Sequence, residues 1–154
     1  MKMKTRHFGE VDVTEDVVLS FDEGIPGFPD SKRFVLIEES ERSGDTDNLF
    51  YWLQSVDDAD LSLMLMDVIK FMPDYDPAVD LNDVRNLQLL EADDYNVYNV
   101  VVVPEEVEKM SVNLKAPIII NDRLKKGKQV LSMNDDYAVR YYIYKELNKN
   151  KDNK

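Results

Sequence analysis

The stretch Ser111-Val-Asn-Leu-Lys-Ala-Pro-Ile-Ile-Ile-Asn121 constrains the fold of this chain more than any other. Val112, Leu114 and Ala116 alternate with Ser111, Asn113 and Lys115, the two-residue period of a strand with one wet face. Pro117 breaks that pattern, because it has no N–H for a ladder and biases Ala116 away from helix. The β-branched run Ile118-Ile119-Ile120 follows with no polar interruption, as in a strand buried on both faces. An exposed strand, a fixed bend and a buried strand in succession predict a corner of a β-barrel or sandwich. On packing grounds alone, a core strand carrying a bulge has the same pattern.

The flanking chain supplies partners for such a corner. Phe8, Val11 and Val13 predict an N-terminal strand region that forms a hairpin with residues 17–21. Gly24, Pro26, Gly27 and Pro29 dictate an irregular, stiff loop, in which Ile25 or Phe28 packs inward. Strands are predicted over 32–38 and 49–55, and the second holds the chain's one tryptophan, Trp52, expected as a core anchor. Between them, residues 38–48 form an acidic surface loop, since no apolar side chain anchors them. Asp57-Asp58-Ala59-Asp60 turns the chain into 61–66, completing an antiparallel hairpin. Val79, Val84, Leu87 and Leu90, flanked by Leu81 and Leu89, fit a helical stripe that Asp80 can cap. One short helix is therefore predicted over 79–90. A strand over 97–103 stops at Pro104, and 105–109 form a turn of helix. Residues 123–128 make a basic hairpin tip, and the last strand is expected over 137–144, a stretch that is also compatible with a helix. The expected fold is mostly β: a compact antiparallel β-barrel-like single domain over 1–146, with one or two short helices. A flexible polar tail is expected over 147–154.

Charge and chemistry bound the function. The formal net charge is −12, and it is uneven: residues 1–108 hold 26 acids and 8 bases, while the rest hold 5 acids and 11 bases. An acidic body repels phosphate backbones, which argues against direct nucleic-acid binding, and it attracts basic proteins. No cysteine is present, so disulfides and thiol chemistry are absent. No apolar run reaches the ~18–20 residues that span a bilayer, and the N-terminus turns polar at once, so a cytoplasmic protein without membrane contact is expected. The single histidine, His7, has no Gly-x-Ser-x-Gly nucleophile to serve. Asp45-x-Asp47 and Asp74-x-Asp76 lack the Gly and distal Glu of an EF-hand loop. No catalytic set, metal site or cofactor is expected from these residues. A barrel that binds a small ligand, or one that works by carboxylates alone, is the other class compatible with them.

Five fragments then carry a resemblance. Phe21-Asp-Glu-Gly-Ile-Pro-Gly-Phe28, Trp52-Leu-Gln-Ser55, Pro73-Asp-Tyr75, Val112-Asn-Leu-Lys-Ala-Pro-Ile118 and Gln129-Val130 resemble, in this order, the flagellar assembly factor FliW family. The resemblance covers nearly the whole chain up to about Tyr144. It implies a non-catalytic regulator with a compact, mostly antiparallel barrel-like fold and no cofactor. It further implies that the chain, a monomer when free, binds flagellin and the translational repressor CsrA. Antagonism of CsrA would couple the flagellin level to its own translation. The candidates for a protein-binding patch are Phe28, Gln54, Ser55, Tyr75, Asn113 and Lys115, which fall in the matching fragments. Asn113 can alternatively bond backbone at the Pro117 bend.

Overall fold

The structure is a computed structural model that describes residues 2–6, 8–38, 49–89 and 95–147. Its strands, in chain order, are β1 (Lys2–Thr5), β2 (Gly9–Asp12), β3 (Leu19–Ser20), β4 (Arg33–Glu38), β5 (Phe50–Ser55), β6 (Ser62–Met66), β7 (Tyr95–Val102), β8 (Ser111–Val112), β9 (Ile118–Asn121), β10 (Lys126–Gln129) and β11 (Tyr141–Tyr142). β7-β6-β5-β4-β3-β10-β9 form a barrel, which closes where β9 pairs back onto β7 through Val97↔Ile119 and Tyr98↔Ile118. Every rung of that barrel is antiparallel except Ser20↔Lys126, where β3 meets β10 in parallel. β8 and β11 continue outward from β7, and β1 with β2 make a separate hairpin. The mostly β barrel expected from the sequence is the fold found.

Closure explains the isoleucine run. Side chains alternate across a strand, so a barrel strand covered on the outside must be apolar at every position. Ile118 and Ile120 point into the barrel with Phe34, Tyr51, Leu53, Leu65 and Tyr98. Ile119 lies on the outer face with Met66, Val97, Val101 and Val112, under Val68, Tyr75, Val84 and Leu87 from the loop region before β7. A third, small cluster of Met3, Val18 and Val35 seats the β1–β2 hairpin on the barrel.

Several expectations need correction. The alternation over 111–116 yields only the two-residue strand β8, because the Asn113 Oδ1 accepts the N–H of both Lys115 and Ala116 at 3.0 Å and turns the chain. Nor is that face wet: Ser111 is buried. The N-terminal hairpin pairs β2 with β1, not with 17–21; residues 15–17 are a 3-10 turn, and β3 pairs with β4 and β10. The predicted helix over 79–90 is absent from its described part. Val79 instead bridges Ser132, Arg85–Leu87 make a single 3-10 turn, and Gln88 ends it at φ +50°. Asp80 accepts the Asn82 N–H at 2.9 Å, capping a turn rather than a helix. A short helix, α1, lies earlier, at Val68–Phe71. The strand over 137–144 shrinks to β11, and 144–147 are helical. Trp52 is half-buried on the outer face, between Ile37 and Met64 in the register, and meets the Phe8 ring edge-on at 6.3 Å. The interior positions at that level belong to its neighbours Tyr51 and Leu53. His7, Leu90, most of the acidic loop (39–48) and the end of the tail (148–154) lie outside the described residues. Among the described residues no helix is long and apolar enough to cross a membrane.

Candidate protein-binding surface

The Gly/Pro loop has the shape its residues dictate. Pro26 fixes φ at the second position of a turn, and Gly27 takes φ +90° at the third, the requirement of a type II turn. The Phe28 N–H donates to the Ile25 carbonyl at 2.7 Å across it. Ile25 points inward, whereas the Phe28 ring is 44% exposed. Phe28, Pro26, Leu63, Val100, Asn113 and Leu131 line an open cleft of about 410 Å³ at this end of the barrel.

The six residues expected to form one patch are not gathered into one. Phe28 and Asn113 share the cleft just described. Lys115 lies beside it in the chain, but its side chain is mostly covered, and its ammonium donates to Asp135 Oδ1 at 2.9 Å and to the Asn134 carbonyl at 3.2 Å. That ammonium holds the Asp135 carboxyl below its ordinary pKa. Gln54 and Ser55 are wholly buried. The Gln54 amide donates towards the carbonyls of Ser55, Asp58, Ala59 and Leu61, and the Ser55 Oγ accepts from the N–H of Asp57 and Asp58. Both hold the β5–β6 turn in shape. Tyr75 is also buried, with its hydroxyl donating to the Leu114 carbonyl at 2.7 Å and accepting from Asn99 Nδ2 at 2.9 Å. Asn99 in turn donates to the Asn113 carbonyl at 2.8 Å. The Asn113 alternative therefore holds: its side-chain oxygen shapes the bend, while the residue also faces the cleft.

Tyr75 also contributes to a second, larger concavity of about 660 Å³, framed by Ile69, Pro77, Val79, Leu81, Leu89 and Tyr95. Leu81, 83% exposed, and Leu131, 65% exposed, are the residues that sequence reasoning missed as surface contacts. Their signal was weak: Leu81 is a lone leucine between Asp80 and Asn82, and Leu131 stands between Val130 and Ser132 in an apolar run that reads as strand. Among the described residues, no three His, Asp or Glu side chains converge to hold a metal ion.

Burial has a measurable consequence here. It raises the Tyr75 pKa from 10.0 to about 12, although the Asn99 hydrogen bond pulls the other way, and it raises that of Tyr98 as well. Below pH 10 these hydroxyls are neutral in both the folded and the unfolded chain, so they contribute no pH dependence. Above it the unfolded chain loses its protons first, and stability falls as pH rises towards 12. Tyr75 alone accounts for about 2–3 kcal/mol of that fall. Urea midpoints measured across this range should decline, and Tyr75→Phe should flatten the decline. An equal slope in the two proteins would remove Tyr75 as a cause.

Comparison with known proteins places this architecture. Residues 2–143 match the family described as FliW protein. A flagellar assembly factor FliW from Caldicellulosiruptor saccharolyticus is 41% identical over 150 residues, which is 96% of this chain and 93% of that protein. The flagellar assembly factor FliW of Ruminiclostridium cellulolyticum is 39% identical, covering 97% of this chain and 98% of its own. A crystal structure of the flagellar assembly factor FliW superimposes with a TM-score of 0.83 at 31% identity, over 95% of this chain and 99% of that one. With sequence and barrel matched along nearly the whole length, the chain belongs to the FliW family of flagellar assembly factors.

Proposed function

We propose that this chain works by holding protein partners in the cytoplasm: it binds flagellin, and it binds and antagonises the translational repressor CsrA. Exchange between the two couples the amount of free flagellin to its translation. Near-full-length membership of the flagellar assembly factor family carries this reading. Two features of the surface support it. The cleft at Phe28 is open and largely apolar, with Asn113 as a polar contact and Lys115 beside it. The chain as a whole carries a formal net charge of −12, suited to drawing in a basic RNA-binding protein.

Titration of the purified chain with flagellin and with CsrA, separately and in competition, tests the reading. Each should bind, and flagellin should displace CsrA; failure to bind either one overturns it. The kinetics separate steering from contact. Distributed charge acts on association and is screened by salt, whereas desolvated contacts act on dissociation. Raising ionic strength from about 0.05 to about 0.5 M should slow CsrA association several-fold and barely change its off-rate. Phe28→Ala should instead speed dissociation, about tenfold for each 1.4 kcal/mol of binding free energy that the ring supplies. Association indifferent to salt would reduce the acidic surface to a solubility device.

A further inference from the structure

We propose that the Phe28 cleft reads the main chain of an extended partner segment, through a hydrogen-bond donor on Asn113 and an acceptor on Gln129. This inference rests on the reading of that cleft as a partner site, and it names the chemistry recognised there.

The two carboxamides meet at one residue. Asn113, Ala116 and Gln129 line the cleft together. The Ala116 N–H donates to Asn113 Oδ1 at 3.0 Å, and the Ala116 carbonyl accepts from Gln129 Nε2 at 3.1 Å. Gln129 reaches this place because side chains alternate along β10. Gly127 faces the Phe21 ring inside the barrel, so Gln129, two residues on, stands on the same face where the cleft opens.

These bonds fix which end of each amide is left over. A carbonyl can only accept, so the Gln129 atom bonded to Ala116 is the nitrogen. Asn113 Oδ1 also takes the Lys115 N–H, so that atom is the oxygen. The main chain of Asn113 is already used: its N–H donates to the Val100 carbonyl at 2.9 Å, and its carbonyl accepts from Asn99 Nδ2 at 2.8 Å. What remains is a donor, Asn113 Nδ2, and an acceptor, Gln129 Oε1. Neither has a hydrogen-bond partner among the described residues. Both residues are half-buried, and neither atom is sealed from solvent.

A donor and an acceptor beside Ala116 select the occupant. In an extended chain the N–H and C=O of one residue point to the same side, and strand pairing engages both at once. The two amides already hold both groups of Ala116. Their free ends offer the complementary pair to a second residue, Asn113 Nδ2 to its C=O and Gln129 Oε1 to its N–H. A helix interior cannot supply that residue, because its N–H and C=O groups bond to one another. The walls take the side chains of the segment, with Phe28 and Leu131 exposed along them. Main-chain groups brought against such walls must be paired, since an unpaired buried one is costly.

The probe is acetyl-Thr-Phe-Thr-methylamide, which has main-chain amides and no side-chain amide. Its control is the same peptide methylated at every amide nitrogen. NMR titration, including the side-chain NH2 signals of Asn113 and Gln129, gives affinity and place. The probe should shift the Asn113 NH2 signal and the backbone amides around Phe28 and Leu131. The methylated control should bind at least about tenfold more weakly (1.4 kcal/mol). Asn113→Asp keeps an oxygen for the bend and puts an acceptor where the donor stood, so it should weaken the probe about tenfold or more. Gln129→Met removes the cleft acceptor and should also weaken it, whereas Leu81→Lys in the other concavity should leave it unchanged. Urea midpoints check that the variants fold, and where Asn113→Asp does not, Gln129→Met carries the comparison. Equal binding of the methylated control, shifts centred away from Asn113, or indifference to the folded cleft variants would each overturn the assignment. Wild-type titrations with flagellin and CsrA run alongside. Their failure with the peptide result intact sinks only the function proposed above. Their success with the peptide unbound sinks only this inference.

Discussion

Phe21→Ala is expected to lower the stability of the chain by about 3–5 kcal/mol, against a typical total of about 5–15 kcal/mol. The ring is completely buried, directly after β3, and meets Phe34 edge-on with centroids 5.3 Å apart. It also lies on the backbone of β10. A Cβ built on Gly127 would sit 2.5 Å from the Phe21 Cζ, closer than any side chain tolerates. Gly127 is therefore glycine because Phe21 occupies the space. The two residues meet where β3 and β10 form the barrel's one parallel pairing, so the ring fills the seam where the antiparallel ladder is interrupted. Gly127→Ala alone should cost about 1–3 kcal/mol through overpacking. In the Phe21→Ala background the same change should cost little, since its clash has been removed. Urea unfolding of the four proteins measures the coupling. Strictly additive costs would mean that the two residues do not share this space.

The barrel was legible where side-chain period and burial coincide. Residues 32–38, 49–55, 61–66 and 97–103 read as strands because their apolar positions serve a β surface, and they form β4 to β7. Ile118 to Ile120 read correctly as buried on both faces, because no polar residue interrupts them. Legibility failed where tertiary contacts replaced local preference. Val84 and Leu87 are buried three residues apart, as on a helix, yet they reach the outer core from a turn, and Leu81, placed at the flank of that stripe, faces solvent. β1 offers a single apolar residue in its core, Met3, which is too little periodicity to mark a strand. For Trp52 the strand was right and the face was not. Alternation shows that Trp52 opposes Tyr51 and Leu53, but not which side is the barrel.

The candidate site was less legible for a different reason. Gln54, Ser55 and Tyr75 are polar residues within recognisable fragments, and composition cannot tell an internal hydrogen bond from an external one. All three proved to hold backbone: Gln54 and Ser55 at the β5–β6 turn, and Tyr75 at the bend before Pro117. Polar groups buried in this way lose more when left unpaired than they contribute when paired, which restricts what can replace them. Phe28 differs because its loop gives it no internal alternative. With Ile25 taking the inward position of a four-residue turn, the ring has only the cleft to line.

Gly24→Ala should be the most damaging single change in that loop, at about 3 kcal/mol or more, and it should weaken partner binding as well. Two costs combine. Gly24 sits at φ +70°, where an L side chain costs about 1–2 kcal/mol. Its Cβ would also lie 2.6 Å from the Pro29 carbonyl oxygen and 2.8 Å from the Pro29 Cα. Those are backbone atoms of a residue whose ring fixes φ, so neither can step aside cheaply. Gly27 provides the internal control. It has φ +90° but nothing within 4 Å of where its Cβ would stand. Gly27→Ala should therefore cost only the conformational strain, and the two variants should differ by about the 1–3 kcal/mol of an overpacked contact. Relief of the Gly24 clash requires 24 and 29 to separate, and the Ile25–Phe28 turn lies between them. Phe28 then moves off the cleft rim, so affinity for a partner held there should fall further for Gly24→Ala than for Gly27→Ala. Equal unfolding midpoints for the two variants would show that the loop absorbs the clash. Equal affinities with unequal midpoints would show that Phe28 does not contact the partner.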